Sequence, residues 1–378
     1  MRKVASGILT AILVFTLILP CGVYAAPDNC ASSAILVHAD TGQILYSKNA
    51  DSKMLIASTT KIMTALVVLE NCSPDEQVNI LSEYTCVEGS SMYLKAGESY
   101  TVRDLLYGML LVSGNDAATA LAFHCGGSIE GFAEMMNAKA RKMGLVNSSF
   151  KNPHGLDADG HYSSAEDLAL ITCEAMKNEL FAKIVSTKTY VVGEQTFMNH
   201  NKLLWSYEGC LGIKTGYTIA AGRSLVSSAE RNGLRLICVT LSDPDDWNDH
   251  KKLYDWAFSS FEYKRVLPIG VICDLPVISG VKAEVGVSVT EDSRILAEKD
   301  AEIGFTLELP EFVYAGIKAG ECAGRAFVTA NGTVIGEFPL NYTEDVQLAD
   351  NARLSAWGRI KRAWFIANKY GFMFKGTD

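Results

Sequence analysis

The chain contains no C-x-x-C pair, although ten cysteines are spread along its 378 residues. Only His124-Cys125 sets a histidine beside a cysteine, so no metal is expected from the sequence. Excess positive charge is also missing: the net charge is −9 and the pI is about 5.3, which argues against a nucleic-acid partner. No comfortable membrane span is present near the N-terminus, where the apolar run from Ile8 to Leu19 is too short to cross a bilayer. The stretch from Leu267 to about Val346 holds no catalytic constellation.

What is present at the N-terminus is a targeting segment. Arg2 and Lys3 precede the apolar run, and Pro20-Cys21-Gly22-Val23-Tyr24-Ala25-Ala26 supplies small residues suited to signal-peptidase cleavage after Ala25 or Ala26. A lipid-bearing Cys21 is the alternative, but Pro20 fits it poorly. Export to the outer face of the cytoplasmic membrane is therefore expected. Loss of Cys21 would leave nine cysteines, an odd number that cannot pair fully within one chain. Most of them, Cys173, Cys238 and Cys273 among them, read as small buried residues. A hydrophobic content of 48% is ample for a core, and the length suggests two to three units.

Three short pieces carry chemistry. Ser58-Thr59-Thr60-Lys61 has the form S-x-x-K, Ser113-Gly114-Asn115 the form S-x-N, and Lys214-Thr215-Gly216 is K-T-G; the second starts 55 residues after the first and the third 101 after the second. Together they form the signature set of serine enzymes acylated by D-Ala-D-Ala peptides and penicillin. Residues three apart share a helix face, so Lys61 can reach the Ser58 hydroxyl. A serine needs such a base, and lysine serves only when neutral. Burial and a second cation, Lys214, both favour the neutral form. Ser113 is placed as a proton relay and Asn115 as a holder of the substrate amide. Gly216 allows close approach of a ligand to a strand, and the backbone N–H groups of Ser58 and Tyr217 are candidates for an oxyanion hole.

Surrounding residues extend these motifs. Thr101 is a plausible helix N-cap, and Ser-Gly-Asn interrupts the helical spacing from Val102 to Ala122. His154 and His161, with Asp157 and Asp159, sit in turn-rich sequence and read as a structural loop at a cleft rim. Ser163-x-x-Glu166 reads as a capping box opening a helix to about Met176.

From roughly Ala31 to Phe261 the chain resembles the low-molecular-mass penicillin-binding proteins, serine-type D-alanyl-D-alanine carboxypeptidases. The resemblance rests on the three motifs, on Leu45-Tyr46 through Ala57-Ser58, on Asn152-Pro153-His154-Gly155-Leu156 with Gly160-His161-Tyr162-Ser163-Ser164-Ala165, and on Ile213 through Thr218. It implies an α/β (α+β) domain of the penicillin-binding and serine β-lactamase type, with an antiparallel sheet, a helical subdomain and the site between them. It also implies a peptidoglycan stem peptide as substrate, β-lactams as inhibitors and no cofactor. Members of the family often carry an arginine after the strand that follows K-T-G. Here Ser242 to Asp249 is acidic, which leaves Thr215 and Arg223 as candidates to receive the substrate carboxylate. The glutamate of class A β-lactamases would fall near Ser149, where Asn147-Ser148-Ser149-Phe150 has none. A β-lactamase, a D,D-transpeptidase and a non-catalytic wall-binding protein are the alternatives to a carboxypeptidase.

The expected organisation is a signal peptide over 1–26, a catalytic domain over 27–262 and a small β-rich domain over 267–346. A final helix over 352–375 has six basic and no acidic residues; Leu354, Trp357, Ile360, Trp364 and Phe365 lie on one side and Ser355, Arg359, Arg362 and Lys369 opposite. Such a helix lies in a membrane interface.

Overall fold

The computed structural model describes residues 26–289, 292–349 and 364. The signal segment and the amphipathic tail therefore lie outside the described residues, apart from Ala26 and from Trp364, which is helical and exposed. No helix among the described residues is long and apolar enough to cross a membrane. The chain divides into two compact units, with the boundary between Ser259 and Ser260.

The first unit opens with an antiparallel pair, β1 (Ser33–His38) and β2 (Ile44–Lys48). A 3₁₀ turn, Ala57–Thr60, leads into α1 (Lys61–Asn71), buried from Lys61 through Val68. The short pair β3 (Gln77–Asn79) and β4 (Ser99–Thr101) precedes α2 (Val102–Leu111), which Thr101 caps by accepting from the Asp104 amide. The helix then stops, as the Ser-Gly-Asn break predicts, and α3 (Asn115–Gly126) begins. Next come α4 (Ile129–Lys142), α5 (Ala165–Met176), α6 (Glu179–Ser186), the hairpin of β5 (Thr189–Val192) and β6 (Gln195–Met198), and α7 (Leu203–Ser206). The strands β7 (Cys210–Thr218), β8 (Gly222–Arg231) and β9 (Leu234–Leu241) follow, then α8 (Asp246–Ser260).

The main sheet runs β2-β1-β9-β8-β7, with every neighbouring pair antiparallel. Ile35, Val37, Ile237 and Val239 of its central strands join one apolar core with Ile62, Met63, Leu106, Leu121 and Leu168 of the helices. This arrangement matters for chemistry because β7, the strand that carries K-T-G, is an edge of the sheet. An edge strand offers backbone groups to an added strand.

The second unit is built on β-strands. After β10 (Phe261–Arg265) come β11 (Val271–Ile278), β12 (Glu284–Val289), β13 (Arg294–Glu298), β14 (Ile303–Glu308), β15 (Val313–Tyr314), β16 (Cys322–Ala330) and β17 (Thr333–Tyr342). Six of them form a sheet in the order β14-β16-β17-β12-β11-β15, and β10 pairs with β13. Its own core gathers Val277, Val285, Val287, Ala326, Val328 and Leu340. The alternation of β-branched residues made the longer of these strands legible in the sequence.

Two sequence expectations are corrected. The capping box is shifted by one residue: Ser164, not Ser163, caps α5 by accepting from the Asp167 amide. Ser163 is occupied elsewhere, its backbone bridging Met54 and its hydroxyl meeting Ser148. The cysteines are also less buried than expected. Cys238 is buried, Cys173 and Cys273 are half-buried, and Cys30, Cys86 and Cys322 are exposed.

Candidate active site

Ser58 lies in the 3₁₀ turn that precedes α1, not within the α-helix itself. In a 3₁₀ turn residues i and i+3 eclipse one another. That geometry brings Lys61 Nζ to 2.9 Å from Ser58 Oγ. The turn starts from strained backbone: Ala57, a non-glycine, has φ +46°. This region costs an alanine about 1–2 kcal/mol. Ser113, in the S-x-N motif, has φ +64°. Ile213, immediately before K-T-G, has φ +107°, so strain at or beside all three motifs fits a site whose geometry is imposed by its surroundings.

Lys61 is fully buried, and three polar atoms meet its amine. Besides Ser58 Oγ, it donates to Asn115 Oδ1 at 2.6 Å and to the His154 carbonyl at 2.7 Å. A neutral amine has two N–H donors and one lone pair. The two carbonyl-type acceptors take both donors, which leaves the lone pair for the Ser58 hydroxyl proton. Burial drives the Lys61 pKa well below the ordinary lysine value; Lys214 adds to the shift, and Asp116 opposes it. Lys214 is also buried, donates to the Thr215 carbonyl at 2.8 Å, and is lowered by burial to about 7.

The loop that supplies the His154 carbonyl is held from several directions. Asn152 accepts from the Gly155 amide and donates to the Leu156 carbonyl. Thr64 of α1 donates to the Pro153 carbonyl at 2.6 Å. Gly155 has φ +88°, and a Cβ there would lie 1.9 Å from the Ala57 carbonyl oxygen. Only glycine lets this loop pass so close to the nucleophile turn. Both histidines act as neutral fixtures. His161 accepts from the Lys151 amide and meets the Thr60 hydroxyl, and burial lowers it to about 4. His154 is lowered to about 3, first by burial and then by Lys61.

A cleft of about 1120 Å³ opens above these groups. Ser58, Ser113, Thr215, Gly216 and Tyr217 line it, whereas Lys61, Asn115 and Lys214 are buried. Gly216 packs against the turn: a Cβ on it would stand 3.1 Å from the Ile56 carbonyl and 3.2 Å from the Ser58 nitrogen. The K-T-G strand and the nucleophile backbone are therefore in direct contact. Asn115 has different partners from those the sequence suggests. Its oxygen holds Lys61, and its amide donates to the Glu88 carbonyl, so both ends of the side chain are engaged within the protein. Arg223 also lines the cleft, together with Asp246 and Trp247. Its Nη2 donates to Asp246 Oδ1 at 2.8 Å and Oδ2 at 2.9 Å, and its guanidinium lies 5.7 Å from the Trp247 ring centre.

Sequence reasoning missed three parts of this site. The His154 carbonyl is a backbone group, invisible to motif reading. Asp116, buried at the start of α3, accepts from the amides of Met92 and Leu94 and from the Ser91 hydroxyl, and so ties down the segment on that side. Asp246 was visible only as one of several acids, and its pairing with Arg223 comes from the register of β8 with the start of α8.

A strained serine turn, a buried lysine with a depressed pKa and a K-T-G edge strand define a serine acyl-transfer enzyme of the penicillin-binding class. The family model described as D-alanyl-D-alanine carboxypeptidase matches residues 23–245. D-alanyl-D-alanine carboxypeptidase DacF of Bacillus subtilis is 34% identical, over 84% of this chain and 86% of its own length. DacC of Escherichia coli is 35% identical, over 85% and 86%. Among solved structures, penicillin binding protein 5 of Haemophilus influenzae superposes with a TM-score of 0.75 at 32% identity, covering 85% of this chain and 98% of its own. A mutant of the Streptomyces K15 DD-transpeptidase reaches 0.60 at 36% identity, covering 61% of this chain and 99% of its own. The chain belongs to the D-alanyl-D-alanine carboxypeptidase family and is a serine-type peptidase.

Two predictions follow from this geometry. Gly155→Ala should lower stability by roughly 2 kcal/mol or more in thermal unfolding, because it adds strain at positive φ and a clash with Ala57, and penicillin acylation should slow in the same variant. The second concerns pH. Lys61 must be neutral to accept a proton, so acylation should fall as the pH drops through the lowered Lys61 pKa. Removing a neighbouring cation raises that pKa, so in Lys214→Met the acid limb of the acylation rate should move to higher pH. An unmoved limb would mean Lys214 does not set the protonation of Lys61.

Proposed function

We propose that Ser58 attacks the carbonyl between the last two D-alanines of a peptidoglycan stem peptide, with Lys61 as the general base. Ser113 relays the proton to the departing D-alanine, and water then releases the acyl-enzyme. The backbone N–H groups of Ser58 and Tyr217 receive the oxyanion, and the substrate backbone lies along the edge of β7. Penicillin enters the same path and acylates Ser58. The observation that carries this reading is the buried amine of Lys61, which stands 2.9 Å from Ser58 Oγ and is otherwise met by the Asn115 side-chain oxygen and the His154 carbonyl.

The substrate carboxylate goes to Thr215 and Arg223. Arginine has five N–H donors, and Asp246 takes only those of Nη2. Three donors remain for a ligand in the cleft. Arg223 stands on β8 opposite Tyr217 of β7, beside the K-T-G motif. The acidic segment after β9 therefore orients a cation that the sequence has moved to the neighbouring strand.

A transpeptidase reading is kept because the K15 structure is of a DD-transpeptidase. It differs only in the acceptor, an amine in place of water. Product analysis with an added amine acceptor separates the two.

Ser58→Ala should abolish both penicillin labelling and D-alanine release while the protein stays folded. Lys61→Arg should lose roughly 10²–10⁴-fold in acylation, since general-base catalysis supplies that much and guanidinium stays protonated. A penicilloyl adduct mapped to another residue would sink the assignment. Arg223→Gln should lower kcat/KM roughly tenfold for a peptide with a free C-terminal carboxylate, the scale of one charged hydrogen bond. The same variant should act normally on the C-terminally amidated peptide, and equal losses on both would remove Arg223 from carboxylate binding.

The mature enzyme is placed outside the cytoplasmic membrane, held by the basic amphipathic segment 352–375. The support is in the sequence, where Trp357, Ile360, Trp364 and Phe365 stand apart from Arg359, Arg362 and Lys369. Deleting 352–378 should abolish sedimentation with anionic vesicles and leave hydrolysis of a small peptide nearly unchanged. Salt should weaken vesicle binding of the intact chain, because screening acts on the basic face. Undiminished sedimentation of the truncated protein would show that another part of the chain binds the vesicles.

A further inference from the structure

Away from the cleft, one cluster of metal-binding side chains has no part in the chemistry above. Cys72 is the C-cap residue of α1, and Glu76 follows it in the turn toward β3. His124 and Cys125 occupy the last turn of α3. One ligand atom each from Cys72, Glu76 and His124 lies within 4.8 Å of the other two. Cys125, the residue after His124, brings its thiol beside that of Cys72, and both are free cysteines.

We propose that Cys72, Cys125, His124 and Glu76 form a binding site for a zinc-class divalent ion. Two sulfurs, one imidazole and one carboxylate are a donor set that suits tetrahedral zinc. With zinc–sulfur bonds near 2.3 Å and shorter bonds to nitrogen and oxygen, neighbouring ligand atoms stand about 3.3–3.8 Å apart. Cys72, Glu76 and His124 already offer one ligand atom each within 4.8 Å of the other two, so a modest contraction around an ion reaches this spacing, and Cys125, next to His124 in the chain, supplies the fourth ligand. His124 Nε2 and Glu76 Oε2 are 2.9 Å apart, and a small outward rotation admits an ion between them. The other Glu76 oxygen accepts from the Ser73 amide at 2.7 Å, which fixes the carboxylate with Oε2 toward His124. Such support for a ligating carboxylate is usual at metal sites. Both thiols lose their protons on binding, and the ion neutralises the resulting charge. A disulfide between Cys72 and Cys125 would use only half of the cluster, the other half being the His124–Glu76 pair.

The position of the cluster gives it a consequence. Lys61 opens α1 and Asn115 opens α3, and the two side chains meet at 2.6 Å. The far ends of the same two helices, about 15 Å away at 1.5 Å per residue, carry Cys72 and the His124-Cys125 pair. A bound ion would tie the helices at the end opposite the catalytic contact and resist their sliding past one another.

The test uses the mature full-length protein, purified under reduction, stripped with chelator and then titrated with zinc and with cobalt(II). Native mass spectrometry should show one ion per chain, cobalt should give thiolate charge-transfer absorption, and zinc should raise Tm. Cys72→Ser/Cys125→Ser should lose the ion, the absorption and the zinc-dependent rise in Tm. Glu76→Gln and His124→Asn, both at exposed residues, should weaken binding tenfold or more. Penicillin labelling of Ser58 reports that each variant is folded, and if the double cysteine variant does not label, the two exposed variants decide. A wild-type chain that takes up no ion would overturn the proposal. So would stoichiometric zinc in the folded double variant, unweakened binding in both exposed variants, or a Cys72–Cys125 disulfide as the state of the freshly isolated protein.

Discussion

The burial of one amine organises the catalytic unit. Lys61 is removed from water at the first residue of α1, and a buried lysine is tolerated only when it is neutral or fully partnered. Its partners come from three places far apart in sequence: the nucleophile turn, the start of α3, and the Pro153-His154-Gly155 loop. Each is secured by further bonds. Asn115 is clamped by the Glu88 carbonyl, the loop is tied to Thr64, and the turn is pinned between Gly155 and Gly216. Loosening any one of them would leave an acceptor or the amine itself unsatisfied. The same burial that these bonds make acceptable in the core also lowers the pKa of the lysine.

The edge position of β7 completes the arrangement. The interior strands of the main sheet have partners on both sides, whereas β7 has β8 alone within the sheet. Placing K-T-G on that strand puts a cation beneath the cleft and an extended backbone along it. Lys214 sits below as a second buried amine, lowered to about 7. Two lysines in one poorly solvated layer disfavour double protonation, and Lys61, whose pKa is lowered by burial and by Lys214, is the one that touches the serine.

The parts legible in the sequence are those that depend on local spacing. Ser58 and Lys61 are three residues apart, so their contact is decided within one turn. The Ser-Gly-Asn break announced the boundary between α2 and α3, and the β-branched runs announced the second unit. What escaped depends on long-range placement or on backbone atoms. The His154 carbonyl has no side-chain signature. Ser163 and Ser164 are equivalent cap candidates in sequence, and only the bridge from Ser163 to Met54 decides between them. His124-Cys125 was the one histidine beside a cysteine, but Cys72 and Glu76 join it only because α1 and α3 lie side by side. The motif suggested Asn115 as a holder of substrate, and the structure adds that its side chain also links Lys61 to the Glu88 carbonyl.

The distribution of acids around the cleft bears on how the acyl-enzyme ends. Asp246 is the only carboxylate among the described residues lining it, and it is bound to Arg223 through both oxygens. The position where a class A β-lactamase would carry its glutamate is Ser149, whose backbone is bridged to Tyr162. Among the described residues no free carboxylate therefore lines the cleft to activate a water, and under the proposed mechanism that task returns to Lys61. A base that must serve both steps works well when the departing amine leaves the site and water can enter. It works poorly when an opened β-lactam ring stays attached and blocks the approach. This division of labour favours slow release of penicillin and productive turnover of the peptide from the same set of residues.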